Sequence, residues 1–199
     1  MKMEIKWQII PQKFYNRDPS IVARELLGKL LIRIINSRML GGMIVETEAY
    51  YGVDDPASRA YKGRKGKISG IMYEEGGVAL IYMVHGNWLF NIITGPKGHP
   101  SGVLIRAIEP LIGIKYMLEN RGIKDINQLT NGPGKLCKAL NITGALNRVK
   151  VYSERSPIRV YMYRDINDKY IGRSHRIGVR EDLPEPLRFF IKNNRFVSR

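Results

Sequence analysis

Cysteine is almost absent from this chain. Cys137 stands alone, which excludes an intrachain disulfide framework and any four-cysteine cluster, the iron–sulfur kind included. The three histidines, His85, His99 and His175, are far apart and form no HxH or HxxxH pair, so no metal site and no metal cofactor is expected. No apolar run approaches the ~20 residues of a membrane span, and none of signal-peptide length opens the chain. The expectation is a protein of the cytoplasm (associated with the nucleoid) or the nucleus, neither secreted nor bound to membranes. Acidic residues are also scarce, 18 against 33 Lys and Arg, for a net charge of +15.

A surplus of that size creates an attractive field for polyanions, and nucleic acid is the natural partner; a solubility or high-temperature surface is the bland alternative. The 199 residues, 44% of them apolar, suffice for one filled core and predict a single domain spanning 1–199. Asp18-Pro19-Ser20 before IVARELLG predicts a helix capped by Asp18 and ended by Gly28. Strands are predicted over Lys29–Ile35, Met43–Tyr50 and Gly102–Ile108, with a turn at Asn36-Ser37-Arg38. Val78 to Thr94 predicts a hairpin turning at Gly86-Asn87. Helices are predicted from about Pro110 to Arg121 and from near Lys135. Further alternating segments are IRVYMYR, from Ile158, and PLRFF near the C-terminus. Hairpin-paired strands with scattered helices make the class α+β, around a mainly antiparallel sheet.

The chemistry gathers between Ile44 and Lys67, in IVETEAYYGVDDPASRAYKGRKGK. Two-residue periodicity puts Glu46, Glu48 and Tyr50 on one face of the strand, with Val45, Thr47 and Ala49 on the other. A carboxylate beside an aromatic ring and a basic loop could act as a general base next to a polyanion. Residue types alone favour the plainer reading of two solvated strand carboxylates, since most Glu side chains sit at the surface.

The blocks MIVETEAYYGVDDPASRAY, VLIRAIEPL, TNGPGKLCKAL, RIGV and PLRFF, in this order, closely resemble the alkyladenine (3-methyladenine) DNA glycosylase family. The likeness runs from ARELLGKLL at Ala23 to the C-terminus. It implies a curved sheet and a β-hairpin inserted into the DNA minor groove. It also implies monofunctional hydrolysis of the N-glycosidic bond of a damaged purine in double-stranded DNA, by a monomer without metal or other cofactor. On the matching positions, Glu48 is the water-activating base and Arg106 the arginine that helps fix the water and carboxylate. A backbone carbonyl at Ile177 is a further water ligand. Tyr50 and Tyr82 line the pocket of the extruded base, and Asn91 clashes with the exocyclic amino group of normal guanine. His85, where many relatives have tyrosine, fills the gap left in the stack. Outside the resemblance, Tyr50 and Tyr82 are as readily core tyrosines, Arg106 a plain salt bridge, and His85 an exposed turn residue.

The segment carrying Lys62, Arg64, Lys65 and Lys67 is expected to follow phosphates, as is Lys135 at the start of its helix. Asn131-Gly-Pro-Gly-Lys135 has the wrong spacing for a GxxxxGK[ST] nucleotide loop. The chain departs from the family at Arg59, where the likeness calls for a histidine packed against the base. A guanidinium can stack too, but its permanent charge disfavours a cationic base such as 3-methyladenine over neutral hypoxanthine or ethenoadenine. Two other classes fit parts of the sequence: a non-catalytic DNA- or RNA-binding module, and an accessory domain of acyl or formyl transfer.

Overall fold

The computed structural model describes residues 7–198. Among them eight strands form one open antiparallel sheet, with three α-helices against it, an α+β arrangement. The strands are β1 (Leu30–Ile35), β2 (Arg38–Tyr50), β3 (Ala79–Val84), β4 (Asn87–Ile93), β5 (Gly102–Ile112), β6 (Ile158–Tyr161), β7 (Ile171–Ser174) and β8 (Arg188–Ile191). The helices are α1 (Pro19–Leu26), α2 (Ile114–Arg121) and α3 (Pro133–Ala139). The main path runs β3-β4-β5-β2-β1-β6, while β8 pairs with both β2 and β7. No helix among the described residues is long and apolar enough to cross a membrane.

Local chemistry accounts for the elements near the site. Asp18 accepts the Ser20 and Ile21 amides at the start of α1, satisfying donors that a helix start leaves free. Gly28, at φ +84°, follows its end. Asn36 and Ser37, both at positive φ, form the two-residue turn that feeds β1 into β2. Arg38 is therefore the first strand residue rather than part of the turn. Strand β2 begins five residues earlier than its apolar pattern indicates, because Arg38 to Gly42 pair with β1. The main core, which includes Leu26, Ile44, Ala49, Phe90 and Ile105, lies between the sheet and α1 and α3, which pack on β2, β4 and β5.

Two further expectations shift. The predicted helix from Pro110 instead begins at Ile114, because β5 continues to Ile112 and pairs Pro110 with Gly42. A register irregularity at Gly41/Gly42 accommodates a residue without an amide hydrogen, and a side chain on Gly42 would collide with the Glu109 carbonyl. The hairpin turns one residue early: Val84 pairs with Asn87, and the turn residues are His85 (φ 47°) and Gly86 (φ 76°). A two-residue hairpin turn of this type needs positive φ at both central positions, and the Asn87 side chain braces it by donating to the His85 carbonyl at 3.0 Å. His85 is thereby at the apex itself.

Candidate active site

Strand β2 is the spine of the site. The register of β2 on β5 shifts on either side of Glu46, and this bulge changes which side chains share a face. Thr47 donates its hydroxyl to the Ala23 carbonyl of α1 at 2.8 Å, and Ala49 joins the main core. Val45, expected on that side, instead packs with Met43, Ala107 and Phe196. Glu46, Glu48 and Tyr50 do share a face, where Arg106 of β5 reaches both carboxylates.

The solvated alternative for the two glutamates is overturned, since both are completely buried. Arg106 donates from Nε to Glu46 Oε1 at 2.9 Å, and its Nη1 lies 3.2 Å from Glu48 Oε1. Glu46 also accepts from Arg188 Nε at 2.7 Å, and from the Ser198 amide and hydroxyl, each at 2.7 Å. It is thus the fixed anchor that holds Arg106 in place. Glu48 accepts the Ile177 amide on Oε1 at 2.8 Å and the Tyr50 hydroxyl on Oε2 at 2.9 Å.

These surroundings set the protonation of the group. Burial pushes the Glu48 carboxyl above the ordinary glutamate value, against the opposing pull of Arg106, the Ile177 amide and the Tyr50 hydroxyl. Burial, reinforced by the Glu48 charge, raises Tyr50 well above its usual range and keeps it a donor. Burial alone would lower Arg106, but Glu48 and Glu46 outweigh it and hold the guanidinium charged. Of the roughly four acceptor positions of a carboxylate, hydrogen bonds occupy one on each oxygen of Glu48, and the Arg106 guanidinium adds an ion pair to Oε1. A raised but partly compensated carboxylate with acceptor capacity left on Oε2 is suited to taking a proton from water.

Above this layer, Tyr50, Arg106 and Ile177 line an open cleft together with Arg59, Arg64, Tyr82, His85 and Lys135. A narrow recess leads inward from it, lined by Tyr50, Arg59, Tyr82, Asn91 and Met72 among others. The Asn91 amide is locked by donation to the Leu80 carbonyl at 3.1 Å. The Arg59 guanidinium lies over the Tyr82 ring, 4.7 Å from its centroid. Lys135 is tied to Gln128 and Asn131 at the cleft wall. Lys62, Lys65 and Lys67 are exposed, but they do not line the cleft as Arg64 does; Lys62 and Lys65 rest on the rings of Tyr61 and Tyr73. At Ile177 the backbone amide, a group given no role in the sequence, donates to the Glu48 carboxylate.

Sequence reasoning passed over Glu46 as an anchor, and over Asp55, Arg176, Asp182, Arg188 and Ser198 entirely. Arg176 and Arg188 stand inside the RIGV and PLRFF blocks, where a charge among apolar residues was the available signal. Among the described residues no three His, Cys, Asp or Glu side chains group to hold a metal ion.

The family model for methylpurine-DNA glycosylase matches residues 13–195. A relative from Aeropyrum pernix is 38% identical over 96% of this chain and 94% of its own, and one from Borrelia garinii subsp. bavariensis is 41% identical over 94% and 97%. A third, from Clostridium botulinum, is 40% identical over 96% and 99%. Each carries the name "Putative 3-methyladenine DNA glycosylase". The matched span takes in β2, the cleft and the Arg106 ion pairs, and the chain belongs to the methylpurine-DNA glycosylase family.

Proposed function

We propose that this enzyme hydrolyses the N-glycosidic bond of a damaged purine extruded from duplex DNA, with Glu48 as general base. The observation that carries the reading is the fully buried Glu48, held by Arg106, the Ile177 amide and Tyr50 directly beneath a basic cleft. Water, entering along Arg106 and Ile177, gives a proton to Glu48 as its oxygen bonds to the sugar C1′. The C1′–N9 bond breaks, and its electron pair leaves with the purine. No lysine takes part in the attack, so the sugar–phosphate strand stays intact. The substrate class is alkylated and deaminated purines, 3-methyladenine, hypoxanthine and ethenoadenine among them.

The remaining roles follow from position. Tyr50 supplies a stacking ring, Arg59 and Tyr82 close the recess, and Asn91 excludes the amino group of guanine. His85, at the hairpin apex, fills the gap left by the extruded nucleotide. Arg64 and Lys135 meet phosphates at the cleft, and Lys62, Lys65 and Lys67 add to the basic surface beyond it.

The test is base release from duplexes that each carry a single purine lesion. Wild type is expected to free the base without strand cleavage, and Glu48→Gln to bind the same duplex but release none. Absence of base release by wild type across the panel would overturn the reading.

A further inference from the structure

Behind Tyr50 lies a second ionic cluster, centred on Arg176. Its side chain is completely buried. Nη1 donates to Asp55 Oδ2 at 2.6 Å and to the Ala49 carbonyl at 3.0 Å; Nη2 donates to Asp55 Oδ1 at 2.7 Å, and Nε to Asp182 Oδ1 at 2.8 Å. The backbone amide of Arg176 donates to Asp182 Oδ2 at 2.9 Å. The guanidinium carbon also lies over the Tyr50 ring, 4.5 Å from its centroid. A planar fork that meets one carboxylate with two donors and lies over a ring is a geometry that lysine cannot reproduce.

The two partners of this fork reach different parts of the site. Asp55 also accepts the Tyr51 and Ala57 amides, each at 3.0 Å, so it shapes the loop that follows Tyr50 and carries Ala57 and Arg59 into the recess. On the other side, residues 175–182 belong to no strand or helix, and Arg176 is the only buried residue among them. The next residue, Ile177, is exposed as a side chain, yet its amide is a donor to Glu48. The position of that amide depends on the residue before it.

We propose that Arg176 is a positioning residue that sets two parts of the site at once, the plane of the Tyr50 ring and the Ile177 amide that faces Glu48. It touches neither substrate nor water. It couples the stacking platform to the carboxylate, so that one buried fork aligns the group that grips the base with the group that activates the nucleophile. This role rests on the glycosylase reading for its purpose, but its geometry can be tested without any turnover.

The groups that face Glu48 are Arg106 from β5, Glu46 and Tyr50 from β2, and the Ile177 amide. Arg188 of β8 acts on it only through Glu46, Tyr82 through Tyr50, and Arg176 through Tyr50 and the Ile177 amide. Only the Ile177 amide and the Tyr50 hydroxyl depend on Arg176 for their placement. The decisive measurement is the 13C-carboxyl NMR titration of Glu48, assigned by its loss in Glu48→Gln, in wild type, Arg176→Lys and Asp55→Asn.

With donors to the ionised carboxylate displaced, the titration midpoint should rise by about 0.5 pH unit or more in Arg176→Lys, and in the same direction in Asp55→Asn. Single-turnover excision should fall roughly tenfold, with its rising pH limb displaced by the same interval. A brace of the fold alone would lower the melting temperature and leave the midpoint of the folded fraction unchanged, and that result would overturn the proposal. If Arg176→Lys does not fold, Asp55→Asn decides by the same criterion. An absence of base release by wild type would count against the glycosylase reading, whereas an unmoved Glu48 titration counts against Arg176.

Discussion

The Tyr50 hydroxyl donates to Glu48 Oε2 at 2.9 Å, which makes the recess ring and the buried carboxylate a single unit. Tyr50→Phe keeps the ring and removes the donor. A hydrogen bond to a charged acceptor contributes about 1.5–3 kcal/mol. Single-turnover excision is therefore expected to drop by roughly ten- to a hundredfold, with duplex binding little changed. A rate equal to wild type would show that the hydroxyl is idle.

The pH dependence follows from burial. Because burial raises the Glu48 carboxyl and its three partners compensate only in part, a base that works ionised loses activity as pH falls through a midpoint above the ordinary ~4.3. Tyr50 stays protonated, so it contributes no falling limb near neutrality. Excision rates measured from pH 4 to 9 should climb and then level off; a midpoint at or below the ordinary value contradicts the assignment.

Glu46 should govern stability more than chemistry. Its carboxylate neutralises Arg106 and Arg188 and accepts both donors of Ser198. Glu46→Ala leaves the buried Arg188 without a carboxylate partner and Arg106 with Glu48 alone, at a cost of about 3–5 kcal/mol. Glu46→Gln, which retains an acceptor of the same shape, should lose less. Urea unfolding of the three proteins gives the order, and equal midpoints would refute it.

Arg59 is expected to set the lesion preference. Its guanidinium on Tyr82 brings a permanent positive charge to the recess wall, which disfavours a cationic base. Arg59→His should raise excision of 3-methyladenine relative to hypoxanthine several-fold, on the order of 1 kcal/mol. An unchanged ratio of the two single-turnover rates defeats the charge argument.

Salt separates the wedge from the phosphate contacts. Arg64→Ala and Lys135→Ala should each flatten the plot of log Kobs against log[salt] by about one. His85→Ala should leave the slope intact and slow only base extrusion, read from the fluorescence of a 2-aminopurine placed beside the lesion. A slope change for His85 equal to that for Arg64 would make it a phosphate contact instead.

Much of this protein follows from short-range rules. The Asp18 cap, the hairpins and the common face of Glu46, Glu48 and Tyr50 are set by residue preferences over a few positions, and the +15 surplus points to a polyanion at any fold. The ordered motif blocks carried the family resemblance and located the carboxylate. Where neighbours in space override neighbours in sequence, local rules failed. Pairing with Gly42 drew Pro110 into a strand, and the bulge at Glu46 moved Val45 to the other face. The partners of Glu46 lie 60, 142 and 152 residues away, and Asp55 meets Arg176 across 121. By itself the sequence determined which strand bears the carboxylate and what kind of polymer the molecule approaches. Only the tertiary structure decided that the carboxylate is buried, which donors face it and which arginine aligns them, because a charge survives burial only where distant segments bring its counter-charges and donors within hydrogen-bond reach.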